Sequence, residues 1–305
     1  DLLLSVNLPA ASGFGSAMQN VGEIENKGFE FALNTVNIDT KNFSWSTSFN
    51  ISTNRNKVKK LATEDGRIVS DKFITEVGQP ISSFYMMNVV GVFKDDADVA
   101  KGPVYSPNTR PGDLKYEDVD GDGKITTADK TIVGSPFPDF TWGLNNEFKW
   151  KNLSLSVFVN GSQGGKTYFE AGETLLNCAG VQNQLSLVND RWRSPEEPGN
   201  GYLPRAIRSD YALGMSASSR YLFDASYVRI KDITLSYDFP GSITQKIGLK
   251  GLNAYFNVSN VYTFTDYPGY DPEASQSGDS VTSAGIDSGV YPTPRTYTLG
   301  VKVAF

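Results

Sequence analysis

Twelve residues near the middle of the chain, "DVDGDGKITTAD", carry oxygen donors at the spacing of a calcium loop. Asp118, Asp120 and Asp122 stand at positions 1, 3 and 5, and Gly123 at the sharp turn of position 6. Lys124 offers its carbonyl at 7, Ile125 is the apolar 8, and Asp129 closes the loop at 12. Hard cations take oxygen ligands, so carboxylates at alternate positions of a tight turn suit Ca²⁺. Position 12 holds Asp where a signalling EF-hand has Glu, which shortens the reach to the ion. The sequence shows no flanking helix pair and no second loop, so an ion here is expected to pin a surface loop and not to act as a switch. The competing reading is a Gly/Asp-rich turn that only resembles a calcium loop.

Other chemistry is thinner. The chain has no histidine, which removes the usual general base, the Ser-His-Asp arrangement and imidazole zinc sites. Carboxylates remain, yet no spacing sets two of them across a cleft as glycoside hydrolysis requires, and no catalytic residue is assigned. "NGSQGGKT" ends as a P-loop does, with Gly165, Lys166 and Thr167. Asn160 occupies the first glycine position, however, and the preceding segment alternates instead of being apolar on both faces. Cys178 is alone, so no internal disulfide forms, and a small buried side chain is expected there. Trp192, Tyr202, Tyr211, Tyr267, Tyr270 and Tyr291 fall in loops, where they either stack on sugar rings, contact a protein lid or pack the loops together.

A net charge of −6 offers no basic field for a phosphate backbone, so no nucleic-acid partner is expected. No apolar run nears the ~20 residues of a membrane helix. The chain opens on Asp1 without the charged start of a signal peptide, and an upstream segment is expected.

The elements that must position these residues are strands. In "FTWGLNNEFKW" the residues Phe140, Trp142, Leu144, Phe148 and Trp150 share one face, with Asn146 dissenting, and Thr141, Gly143, Asn145, Glu147 and Lys149 take the other. Alternation recurs over 29–38, 43–52, 151–160, 227–239, 252–264 and the final "RTYTLGVKVAF". The stretches match the ~9–11 residues of a tilted bilayer-spanning strand. "DTKN" and "KWKN" join strands tightly, whereas about 53–138, 161–220 and 265–294 are long excursions. Short turns sorted from long loops mark an outer-membrane barrel, not a sandwich. Trp142 to Trp150 covers roughly 20 Å of membrane normal at a ~40° tilt, close to the spacing of aromatic girdles. Seven spanning strands follow, or nine if "SSFYMMNVVGVF" and a partner such as "GDLKYED" also cross. "KWKN" and "DTKN" then lie in the periplasm. An odd count implies the tail of a larger barrel.

A resemblance sharpens this. "LPAASGFGSAMQNVGEIENKGFEFAL", "FNISTNRNKVKKL", "GQPISSFY", "PGDLKYEDVDGDGKIT", "IVGSPFPDFTWGL", "RWRSPEEPGNGYLPR", "ASYVRIKDITLSYDFP", "SNVYTFTDYPGYDPE" and the terminal Phe305 together resemble the C-terminal third of SusC/RagA-type TonB-linked outer-membrane transporters of Bacteroidetes. The resemblance covers residues 1–305. It implies an all-β transmembrane antiparallel barrel of about twenty-two strands, with plug and TonB box outside this chain. It also implies a SusD-like surface lipoprotein as lid, energy through TonB, oligosaccharide or peptide as substrate, and a terminal strand read by the barrel-assembly machinery. The function expected is active import across the bacterial outer membrane, with the wall bathed in outer-membrane lipid. A passive porin or adhesin-like barrel, and a soluble calcium-stabilised carbohydrate-binding sandwich, are the alternatives.

Overall fold

The computed structural model describes residues 2–7, 13, 16–63, 65–208, 217–275 and 283–305. Eight strands form one antiparallel meander: β1 (Leu2–Asn7), β2 (Ser16–Asp39), β3 (Phe43–Leu61), β4 (Phe140–Trp150), β5 (Leu153–Gln163), β6 (Tyr227–Asp238), β7 (Gly251–Phe264) and β8 (Thr296–Ala304). Each pairs with its sequence neighbours, so the order in space is the order in the chain. Among the described residues β1 and β8 are the end strands, each paired on one side only, which leaves the wall open.

Seven of these strands coincide with the alternating segments. The wall has an eighth strand that alternation does not reveal: Leu2–Asn7, six residues long, pairs with Ser16–Gly22 at the cap end of β2, beyond the apolar rows at Phe29, Phe31 and Leu33, and adds no spanning strand to the seven. Its run of three leucines lacks the alternation by which the others are read. "SSFYMMNVVGVF" does not cross. Ser83–Met87 joins a four-stranded sheet with 67–70, 73–76 and 130–134, and Val89–Val92 pairs with Leu114–Tyr116 of "GDLKYED". The excursion 53–138 thus adds no further strand to the wall. The tight connections 40–42 and 151–152 lie at one end of it together with the twelve residues 239–250, and the three long excursions lie at the other.

Register carries the alternation across strands. Leu33, Phe49, Leu144, Val159, Ile230 and Tyr262 form one continuous row, and Phe31, Ile51, Trp142, Gly161, Val228 and Phe264 another. A bulge that leaves Lys231 without a partner on β5 or β7 keeps Ile230 and Ile233 on the same face. The opposite face is polar: the Asp232 carboxylate accepts from Asn257 Nδ2 at 2.7 Å, Thr234 Oγ1 at 2.9 Å and Ser259 Oγ at 3.0 Å. Close packing across the wall uses glycine, since a Cβ on Gly300 would sit 2.2 Å from the Tyr255 ring lying over it.

The apolar row is not the core of the molecule. Phe29, Leu33, Trp150, Phe256, Tyr262, Leu299 and Val301 are all exposed. The buried clusters sit in the excursions. One joins Phe73, Phe84, Met86, Tyr168, Phe169, Leu176, Tyr221, Tyr267 and Ile286 from three separate loops, and a second holds Met87, Val92, Leu114, Tyr116, Ile125 and Trp192. A small three-stranded sheet, with Lys166–Phe169 between 222–224 and Ile286–Asp287, ties the loops together. Burying apolar side chains is the main favourable term in folding. A wall that leaves its greasy face uncovered while its loops build cores is made for a non-aqueous solvent on that side.

Candidate functional site

The described loops fold into a cap at one end of the wall, and the acidic loop belongs to it. One carboxylate oxygen from each of Asp118, Asp120 and Asp129 lies within 4.8 Å of the others. Gly121 and Gly123 take φ of 74° and 81°, the left-handed turn that brings the carboxylates together. Asp118 Oδ2 accepts from Gly123 N at 2.9 Å and Asp120 Oδ1 from Asp122 N at 3.1 Å. Ile125 is buried in the second core, which fastens the loop to the cap. Asp129 is fully buried and accepts from Val119 N at 2.9 Å and Thr126 N at 2.7 Å, while Thr126 caps the short helical turn Thr127–Asp129. Chiefly the Thr126 N–H, with the Val119 N–H beside it, holds the Asp129 carboxyl below the usual carboxylate range.

Three of the five residues expected to ligate are therefore brought together. Asp122 is not in that group; its Oδ1 accepts from Lys124 N at 2.8 Å. Lys124 pairs in a parallel bridge with Val104. No helix of useful length flanks the loop, since a strand of residues 130–134 follows it. Three carboxylates in a glycine-shaped turn are a donor set that suits a hard divalent cation.

The other expected residues divide by burial. Trp192 and Tyr267 are buried, and Tyr267 donates to Asp287 Oδ2 at 2.7 Å. Tyr202 donates to the Ser219 carbonyl at 3.2 Å. Tyr270 and Tyr291 stand out at 76% and 88% exposure, and Tyr211 lies outside the described residues. Cys178 is buried beside Arg220, and burial pushes its thiol up, as suits an inert packing residue. "GGKT" runs into a strand where a P-loop would start a helix, and Lys166 pairs with Asp224 at 3.4 Å.

One cluster escapes sequence reasoning. Arg229 on the polar face of β6 is 3% exposed. It donates to Asp271 Oδ1 at 2.7 Å, Glu273 Oε2 at 2.5 Å and Thr263 Oγ1 at 2.8 Å, and its guanidinium lies 4.9 Å from the Tyr227 ring. Thr293 also donates to Asp271, at 2.7 Å. Burial raises the Asp271 carboxyl, but the Glu273 N–H, Thr293 and Arg229 outweigh it and leave it low. The cluster clamps the last loop onto the inner face of the wall. Its sequence signal is a lone Arg at a polar position of an alternating strand, and nothing in the spacing names the carboxylates forty residues on.

An open antiparallel wall, apolar outside and polar inside, with tight turns at one end and a folded cap at the other, is a segment of a transmembrane β-barrel. No family model matches the chain. It is 38% identical to TonB-dependent receptor P3 of Formosa agariphila over 319 residues and 32% identical to TonB-dependent receptor SusC of Bacteroides thetaiotaomicron over 316, each alignment covering the whole chain. A solved structure of the RagAB peptide transporter superposes over the whole chain with a TM-score of 0.79 at 25% identity, using 32% of that chain. The chain spans about a third of the length of these relatives, 31% and 29% of the two receptors. It belongs to the SusC/RagA-type TonB-dependent receptors, as a portion of the barrel.

Proposed function

We propose that this chain forms wall and mouth of an active importer in the bacterial outer membrane, with energy delivered by TonB and a SusD-like lipoprotein closing over the cap. The single observation behind this reading is the division of the fold. Apolar rows face outward along the wall, whereas the buried cores lie in loops gathered over one end, where a lid would rest. SusC and the RagAB transporter are similar over the whole chain, and they favour import over passive conduction. The cargo is an oligosaccharide or a peptide. The cap holds a Ca²⁺ ion through Asp118, Asp120 and Asp129; the ion would offset two of their three negative charges and stiffen the loop.

The test is uptake by cells carrying the full-length protein, with and without TonB. Loss of uptake without TonB supports active import. Unchanged uptake, with ion conductance in planar bilayers, establishes the passive barrel instead.

A further inference from the structure

β2 and β3 overshoot the rest of the wall. They run for 24 and 19 residues, whereas β4 to β7 have 11 to 14. Their outward face is therefore carried further toward the cap end than that of their neighbours, and along it the chemistry switches. Phe31, Phe29 and, on β4, Phe140 hold the upper apolar rows. One row higher, Lys27 stands opposite Arg55, and beyond it Glu25 stands opposite Lys57 and Glu23 opposite Lys60. Two residues of strand advance ~7 Å, or roughly 5 Å along the normal at a 40° tilt. The cations begin one headgroup's depth above the last aromatic row.

These side chains are free to reach outward: Lys27 is 75% exposed, Arg55 81% and Lys59 45%. Lys27 lies 2.9 Å and Lys59 3.8 Å from Glu25, and Arg55 lies 3.8 Å from Asp139. Five cations (Lys27, Arg55, Lys57, Lys59, Lys60) meet three carboxylates (Glu23, Glu25, Asp139), an excess of two positive charges on a chain whose net charge is −6. A local excess against the overall sign, at the level where lipid phosphates lie, has a natural complement. We propose that the outward basic patch at the cap ends of β2 and β3 binds the phosphate groups of outer-leaflet lipids. The Arg55 fork takes two phosphate oxygens, while Lys27, Lys57 and Lys59 act as point charges around it. The proposal rests on the outward face being the lipid face.

The experiment uses the full-length transporter in detergent, titrated with dioleoyl phosphatidic acid or dioleoyl phosphatidylcholine and read by native mass spectrometry. The wild type retains the phosphomonoester lipid over the zwitterionic one. The quadruple variant Lys27→Gln/Arg55→Gln/Lys57→Gln/Lys59→Gln loses that preference by at least about tenfold, given the ~fivefold per basic residue expected beside an anionic surface. The double variant Glu25→Gln/Asp139→Asn strengthens it, which keeps the test sound should the quadruple variant fail to insert. Equal retention of both lipids by the wild type, equal preference in all variants, or full competition by millimolar inorganic phosphate would each overturn the proposal. Failure of the membrane reading itself would look different: a protein monodisperse without detergent.

Discussion

Replacing Arg229 by alanine should release the last loop while leaving the wall intact. The substitution strands Asp271, 8% exposed, without its cation. Breaking a buried pair from one side costs ~3–5 kcal/mol. Asp271 keeps the Thr293 hydroxyl at 2.7 Å and the Glu273 N–H at 3.0 Å, which argues for the lower end of that range. The Glu273 side chain is 48% exposed, so its ion pair adds under ~1 kcal/mol. A loss of ~3 kcal/mol multiplies the open population of the loop by about 10². Hydrogen exchange on the full-length protein in detergent reads this directly. Amides in 265–275 and 283–294 should exchange about a hundredfold faster, while those of Phe93 and Glu117 in the first excursion, beside the second core that the last loop does not enter, keep their rates. Arg229→Lys, which keeps the charge but loses the fork, should fall between. Acceleration under threefold, or an equal acceleration throughout the cap, would refute the clamp.

Three other outcomes are expected. Leu144→Arg, on the outward face, should lower folding stability in lipid vesicles by ~2–4 kcal/mol if the site lies near the midplane, whereas Asn145→Arg next to it should cost under ~1 kcal/mol; urea titration of the refolded protein checks both. Asp118→Asn and Asp129→Asn should weaken Ca²⁺ binding measured by calorimetry on the full-length protein, and Asp122→Asn should change it far less, because Asp122 stands outside the three converging carboxylates. The Asp129 carboxyl is held low in the folded state, so its contribution to loop stability is full above the ordinary carboxylate range and is lost as pH falls through the depressed folded value; protease resistance of the 114–134 region should drop in that acidic window and not near neutrality.

Much of the wall is legible in the sequence because a half-lipid, half-water strand must alternate. Leu144, Val157, Leu235 and Val301 announce their face through period two alone. β1 is not legible: Leu2, Leu3 and Leu4 follow one another, and its pairing with Ser16–Gly22 is a matter of register. The upper halves of β2 and β3 escape the same pattern, since charged residues such as Lys27, Arg55 and Lys57 replace the apolar positions once the strand leaves the bilayer. Asn146 shows the same limit in miniature. It breaks the apolar row of β4, yet its Oδ1 accepts from Trp45 Nε1 at 2.9 Å and Thr47 Oγ1 at 2.8 Å, partners a hundred residues away. For the acidic loop, spacing located the three converging carboxylates. It does not single out Asp122 as the one outside that group, since Asp118, Asp120 and Asp122 all accept from backbone N–H groups of the same turn.

The claim on which the rest depends is that the apolar rows meet lipid and the polar rows line water. Nitroxide labels at Leu144, Val157 and Val301, and at Asn145 and Thr298, in the full-length protein reconstituted into bilayers, test it through collisions with oxygen and with a water-soluble nickel chelate. Oxygen should dominate at the first three positions and the chelate at the last two; the reverse pattern would contradict the account.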